Sequence, residues 1–432
     1  MKNILLLTSV YPADDFADEV TPVVHFFARE WVLQGYNVKV IHNIKYYNRF
    51  VYLLISVFKN IISRYYKFIF STKGHTRERN YVIEKVDVYR LPMFNRFPLL
   101  LFSRTTQKNQ LNRIIRLIDS MNFRPDIIIG HWANPQLLQV SELGKRYNAR
   151  TCMVIHSDVR IIERMYGDKS KNIVASIDVW GFRSNAIKNE FEHLYGKVDL
   201  SFLCHSGIPV NNVNPPKRTF EKGIRKFLFV GLLIPRKHPD VLIKAINDAF
   251  KGKDFHITFI GEGIEKNKLE RLVKKLNLSD KVSLPGRIPR NDVFKVMQES
   301  DCFIMLSSPE TFGLVYLEAM SMGCITIGSR GEGIDGIIQH GKNGFLCKAG
   351  DEKELSVLLK NISKFSCDEL QAVSNNAIHT VSGLTDDKVA QRYIEFVSSV
   401  NSGDNNILKD EGNAKKAKQP EIGLIGAYEL HG

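Results

Sequence analysis

Apolar and polar positions alternate along the chain in blocks that change period. Residues 3–8 centre on the apolar run Ile4–Leu7, 9–21 are rich in Pro and Asp, and 23–34 repeat apolar residues every three to four positions until Gly35. A second strand is expected at 37–42, where Val38, Val40 and Ile41 are set among polar residues. Strand, helix and strand in that order predict a βαβ unit with a parallel sheet. The rhythm returns with strands at 126–130, 151–155, 177–180 and 200–204 and helices at 135–147 and near 186–195. A Pro- and Asn-rich break over 209–222 reads as an interdomain linker. A second series follows, with strands at 226–230, 256–260, 282–284, 302–306 and 325–328. Its helices fall at 239–250, 266–276, 290–300 and 316–322. The pattern predicts an α/β protein of two Rossmann-like domains facing across a cleft. The expected divisions are 1–212, a linker at 213–222, 223–385, a helix at 386–400 that returns to the first domain, and a polar tail at 401–432.

At 432 residues the chain exceeds one compact core, in keeping with two domains. Charge changes the picture more. The net charge is +14, and residues 44–117 alone hold fifteen Lys and Arg against three acids. That block is also aromatic, yet its longest uncharged apolar run, 51–58, is far short of the roughly 20 residues a spanning helix needs. On a helix over 50–70, Leu54, Val57, Phe58, Ile61, Ile62, Tyr65 and Phe68 form a stripe, with Lys59, Arg64 and Lys67 largely outside it. A basic amphipathic helix of this kind lies on an anionic membrane surface or turns its stripe to a core. No nucleic-acid motif accompanies the charge, so nucleic acid is not expected as a partner. The six cysteines lie far apart with no CxxC pair, which excludes a zinc or disulfide framework and predicts a reducing, cytoplasmic setting.

Candidate chemistry concentrates in the second half. In SSPETFGLVYLEAMSMG (307–323), Glu310 and Glu318 flank a TFG loop that feeds a helix N-terminus. Backbone N–H groups there suit a phosphate, and a carboxylate one turn into the helix suits a ribose diol. The stretch resembles the E-x7-E motif of retaining GT-B glycosyltransferases of family 4, the group 1 glycosyl transferases, and the likeness runs to about residue 400. The resemblance implies a GT-B fold and a retaining, metal-independent transfer from a nucleotide-diphosphate sugar. No metal or cofactor is implied beyond that donor. By position, Glu318 would hold the donor ribose and Glu310 the sugar hydroxyls near the anomeric carbon. Gly313 and Leu314 would offer N–H groups, with Phe312 beside them at the donor. FVGLLIPRKHPDVLIKA (229–245) resembles the family's diphosphate grip, with Arg236 and Lys237 as its cations. Leu232 stands where relatives place an arginine after the strand glycine.

Weaker likenesses complete the set. FIGEGIEKNKLERL (259–272) puts Gly261 and Gly263 at the cleft edge, and VSLPGRIPRNDV (282–293) puts Arg287 and Ile288 at the base. His156, at the end of a buried strand, matches a family histidine near the donor sugar; with Glu310 and Lys237 it makes the implied catalytic set. His131 and Asn134 are candidates for the acceptor. The family's glycine-rich N-terminal loop is replaced by YPADDFADEVTP. Asp14 and Asp15 there would repel a diphosphate, so this loop is expected at the acceptor or bilayer edge. The implied function is transfer to a glycan or lipid-linked acceptor in envelope, capsule or exopolysaccharide assembly, on the inner face of the cell membrane. The alternative is a GT-B nucleotide-sugar 2-epimerase.

Overall fold

The computed structural model describes residues 2–15, 22–66, 76–98, 100–156, 158–213 and 218–399, with the side chains of 58–66 excepted. Two sheets organise it. The first holds β1 (Asn3–Thr8), β2 (Asn37–Tyr46), β3 (Arg79–Ile83), β4 (Val86–Phe94), β5 (Ile127–His131), β6 (Arg150–Ile155), β7 (Val179–Phe182) and β8 (Ser201–Leu203). Their order is β3-β4-β2-β1-β5-β6-β7-β8. Only β3 runs antiparallel, joined to β4 by a hairpin whose turn residues Glu84 and Lys85 both have positive φ. The second sheet holds β9 (Lys226–Val230), β10 (His256–Ile260), β11 (Val282–Gly286), β12 (Cys302–Ile304), β13 (Ile325–Ser329) and β14 (Phe345–Cys347). Its order, β11-β10-β9-β12-β13-β14, is the dinucleotide-fold order 3-2-1-4-5-6. In each sheet the strand order reverses beside the first strand, at β1/β5 and β9/β12. Ligands of such sheets bind outside the carboxyl ends at that reversal.

Strands covered by helices on both faces are apolar without alternation, and Ile4 to Leu7 and Phe227 to Phe229 are accordingly buried. The helix Asp386–Ser399 returns from the second domain and lies on the first. Tyr393 meets the rings of Phe27 and Trp31 edge-on at 5.2 Å each, and the Trp31 indole N–H donates to the Ala390 carbonyl at 2.9 Å. Beside this return, Ile208 pairs with Thr385, so the two crossings between domains run side by side.

The basic block is more structured than its charge suggests. It contains the end of β2, the helix Arg49–Tyr66, the β3–β4 hairpin and the helix Arg104–Ser120. On the first helix Val51 and Ile55 face inward, whereas Phe50, Leu53 and Val57 are 60–66% exposed. Val57, counted above within one stripe, therefore faces outward. The side chains of Lys59 and Arg64, and Lys67 as a whole, lie outside the described residues, as do 214–217 of the linker and the tail 401–432. Among the described residues no helix is long and apolar enough to cross a membrane.

Candidate active site

At the carboxyl end of β9 the chain leaves the sheet through Gly231 and enters a single helical turn, Pro235–Lys237. Lys237 folds back over Gly231: a Cβ there would stand 2.7 Å from its Nζ, and the Gly231 φ of +151° favours glycine. The loops after β9 and β10 are equally close, since a Cβ on Gly261 would sit 1.9 Å from the Gly231 carbonyl oxygen. Gly261 and Gly263 thus set backbone against backbone, which positions the Lys237 loop. Lys237 is 9% exposed. Burial pushes its ammonium down to about 8, against the pull of the nearby Glu310 carboxylate.

Arg236 reaches across to the loop after β12. Its Nη1 donates to Ser307 Oγ at 2.9 Å, the Pro309 carbonyl at 2.8 Å and Glu310 Oε2 at 3.2 Å. The Glu310 backbone N–H in turn donates to Glu332 Oε2 at 2.6 Å. Gly313, with φ +76°, precedes the helix Leu314–Ser321, and the Tyr316 ring lies where a Cβ would be. Leu314 opens that helix. Glu318, one turn in, is buried and ion-paired with Arg290, and its burial raises the carboxyl pKa. The structure therefore brings Arg236, Lys237, Glu310, Gly313 and Glu318 around the β9/β12 reversal. Ile288 is partly buried after β11, and Arg287 beside it is exposed.

Phe312 sits differently from a ligand-facing side chain. It is buried, with the Arg183 guanidinium 4.5 Å from its ring centroid and the His205 ring at 5.6 Å. Both partners belong to the first domain, so Phe312 plugs the two domains together. Asp14 and Asp15 are also spoken for: Asp14 is held by Arg79 and Asp15 by Arg90, at 2.8 Å in the latter case. Asp14 and Asp15 are neutralised from the β3–β4 hairpin, which removes the repulsion argued for that pair from the sequence.

On the first-domain side, His131 ends β5 and His156 follows β6. Their rings are bonded, Nδ1 of His131 to Nε2 of His156, at 2.8 Å. The Trp132 indole stacks on His156 at 3.9 Å. Burial, helped by Arg183, pushes His131 down to about 3 and His156 well below its ordinary value, so both rings are neutral. Asn134, three residues past His131, is buried. Sequence reasoning passed over Arg290, Glu332, Trp132, Arg183 and Tyr393. Among them only Trp132, an aromatic at a strand end, stood beside a residue already singled out. Among the described residues no cluster of His, Cys, Asp and Glu suits a metal ion.

Two facing Rossmann-like domains with a C-terminal helix returned to the first are the GT-B fold, here with a cation–carboxylate cluster at the second domain's strand reversal. Anabaena HepE, solved in complex with UDP, matches over 93% of this chain and 100% of its own, with a TM-score of 0.64 at 16% identity. Residues 211–380 match the family described as Glycosyl transferases group 1. Relatives agree. The chain is 41% identical over 98 residues to N-acetyl-alpha-D-glucosaminyl L-malate synthase of Bacillus anthracis, 23% of this chain and 25% of that protein. It is 29% identical over 234 residues to an uncharacterized glycosyltransferase of Methanocaldococcus jannaschii, 53% of this chain and 63% of that one. A putative colanic acid biosynthesis glycosyltransferase of Salmonella typhimurium is 26% identical over 191 residues, 42% and 44% of the two chains. The chain spans less than two thirds of the length of these curated relatives.

Proposed function

We propose that this protein transfers a sugar, with retention and without a metal, from a nucleotide-diphosphate sugar to a glycan or lipid-linked acceptor in cell-envelope polysaccharide assembly. The observation that carries the reading is the placement of Lys237 and Arg236 against Glu310, with Glu318 one helix turn beyond, at the β9/β12 reversal. In the reaction the bond from the anomeric carbon to the phosphate oxygen breaks, and the diphosphate leaves with the electron pair. The acceptor hydroxyl attacks the same face, and its proton passes to the departing phosphate oxygen. Lys237 and Arg236 meet the charge that develops on the diphosphate, and interactions of this kind are the largest single contribution in many enzymes. Glu318 exchanges Arg290 for the ribose diol, Glu310 orients the sugar, and the helix N-terminus at Gly313 and Leu314 supplies N–H groups. Neutral His156 binds a sugar oxygen rather than acting as a cationic acid. The UDP bound by HepE and the colanic acid biosynthesis for which the Salmonella relative is named support a nucleotide sugar donor and a glycan acceptor.

The membrane part of the reading rests on the first domain. Phe50, Leu53 and Val57 on one helix, with Phe97 and Leu100 on a nearby loop, expose large apolar side chains within the basic block. Apolar side chains ringed by Lys and Arg suit the surface of an anionic bilayer on the cytoplasmic side. The test of the core reading is a thermal-shift screen of nucleotide sugars followed by product analysis. A donor raises the unfolding temperature by mass action and yields a glycosylated acceptor. A protein that no nucleotide sugar stabilises, or that only epimerises its donor, refutes the transferase reading.

A further inference from the structure

A chain of buried hydrogen-bonding groups runs from the returned C-terminal helix to the cleft. The Tyr393 hydroxyl is 3.4 Å from His131 Nε2, and His131 Nδ1 is 2.8 Å from His156 Nε2. Cys152 Sγ lies 3.8 Å from the same hydroxyl. Phe27, Trp31 and Phe202 pack around the Tyr393 ring, and Arg183 is the charged neighbour of both histidines.

A neutral imidazole has one N–H and one bare nitrogen. The His131–His156 bond therefore needs one ring as donor, and that choice fixes every proton in the chain. In one arrangement Tyr393 O–H donates to His131 Nε2, His131 Nδ1–H donates to His156 Nε2, and His156 keeps its proton on Nδ1. In the other all three are reversed: His131 donates to the phenol oxygen, and the hydroxyl is left with the Cys152 sulfur. A phenol O–H to an imidazole nitrogen pairs a good donor with a good acceptor, whereas a thiol sulfur is a weak acceptor. The first arrangement is favoured.

We infer that Tyr393 and His131 are positioning residues that lock His156 in the tautomer protonated on Nδ1, so that it presents an N–H to an oxygen of the bound sugar or phosphate. With Nε2 taken by His131, Nδ1 is the nitrogen left for a ligand. Trp132 holds the ring from its face, and does so at φ +67°, a conformation that persists in a tryptophan only where its surroundings enforce it. The inference rests on the glycosyl-transfer reading only for the identity of that oxygen; the tautomer belongs to the protein by itself.

Nitrogen-15 NMR of the full chain with labelled histidine, recorded without substrate, tests it. The expected spectrum has a protonated Nδ1 and a bare Nε2 on both His131 and His156; a proton on His156 Nε2 overturns the inference. Tyr393→Phe keeps the ring packing and removes the hydroxyl. It should shift the pair toward the reversed tautomer and lower kcat roughly tenfold, about the effect of one hydrogen bond, with little change in the KM for donor. Unchanged tautomers, or unchanged kcat despite altered tautomers, overturn the positioning role. If the variant fails to fold, the wild-type spectrum alone decides the tautomer. A wild-type protein that turns over no nucleotide sugar retires the transferase reading and leaves that spectrum as the judge of this one.

Discussion

Arg236 Nη1 and Glu310 Oε2 meet at 3.2 Å, joining the loop after β9 to the loop after β12 across the strand reversal. The cation read as a diphosphate ligand and the acid read as a sugar ligand thus hold each other in place. Neither side chain is more than a quarter exposed, so the pair is better shielded from solvent than a surface ion pair.

Removing single charges from this cluster should cripple transfer and spare the fold. Glu318→Ala and Lys237→Ala are each expected to lower kcat/KM by about 10²-fold or more. Circular dichroism and melting temperature serve as the check on folding. Turnover near wild type in either purified variant refutes its assignment to the donor site.

Lys237 gives the site a pH signature. The unfolded chain holds this proton to the ordinary value of 10.5, while the folded protein releases it at about 8. Between those values the unfolded state binds more protons, so this residue makes stability rise with pH across that window. Donor binding runs the other way, because the ammonium that meets the diphosphate is lost as pH rises through about 8. Calorimetric titration with a nucleoside diphosphate should show affinity falling above that pH. In Lys237→Arg, which stays charged, that fall should vanish whatever the starting affinity.

Retention and independence of divalent metal form a third expectation. NMR of the product should show the donor's anomeric configuration, and activity should survive EDTA. An inverted product or complete loss in chelator contradicts it.

A flotation assay addresses the basic block. Each Lys or Arg near an anionic surface contributes about 1 kcal/mol, and salt screens it within a Debye length. Replacing Lys59, Arg64 and Lys67 with Glu should strongly weaken binding to anionic vesicles while leaving hydrolysis of the donor by water intact. Replacing Phe50, Leu53 and Val57 with Ser should remove the part of the binding that persists at high salt. Flotation equal to wild type in both variants rules this surface out.

The sheets were legible because buried parallel strands carry short apolar runs, Ile4–Leu7 and Phe227–Val230, and the ranges 3–8 and 226–230 read around them match β1 and β9 in position. The β3–β4 hairpin escaped because its turn, Glu84–Lys85, carries neither Gly nor Asn and lies inside a charge-rich stretch. Glu310 and Glu318 were readable since eight residues of local spacing fix a loop and a helix turn. Their partners Arg236 and Arg290 stand 74 and 28 residues away, and only the folded sheet determines those distances. The surroundings of Phe312 were hidden for the same reason: a motif shows that a phenylalanine is present, whereas its neighbours Arg183 and His205 come from the other domain.

The returned helix also governs the order in which this protein is made. Trp31 closes its indole hydrogen bond only with Ala390, which leaves the ribosome 359 residues later. The N-terminal lobe is thus discontinuous in sequence, and vectorial synthesis releases it with one wall missing, Phe27 and the His131 ring still uncovered. The C-terminal lobe waits less, since its sheet draws on 226–347 and its core closes with Val381. Translation therefore finishes the lobe made second before the lobe made first, and the nascent chain carries an exposed aromatic groove until the returning helix emerges.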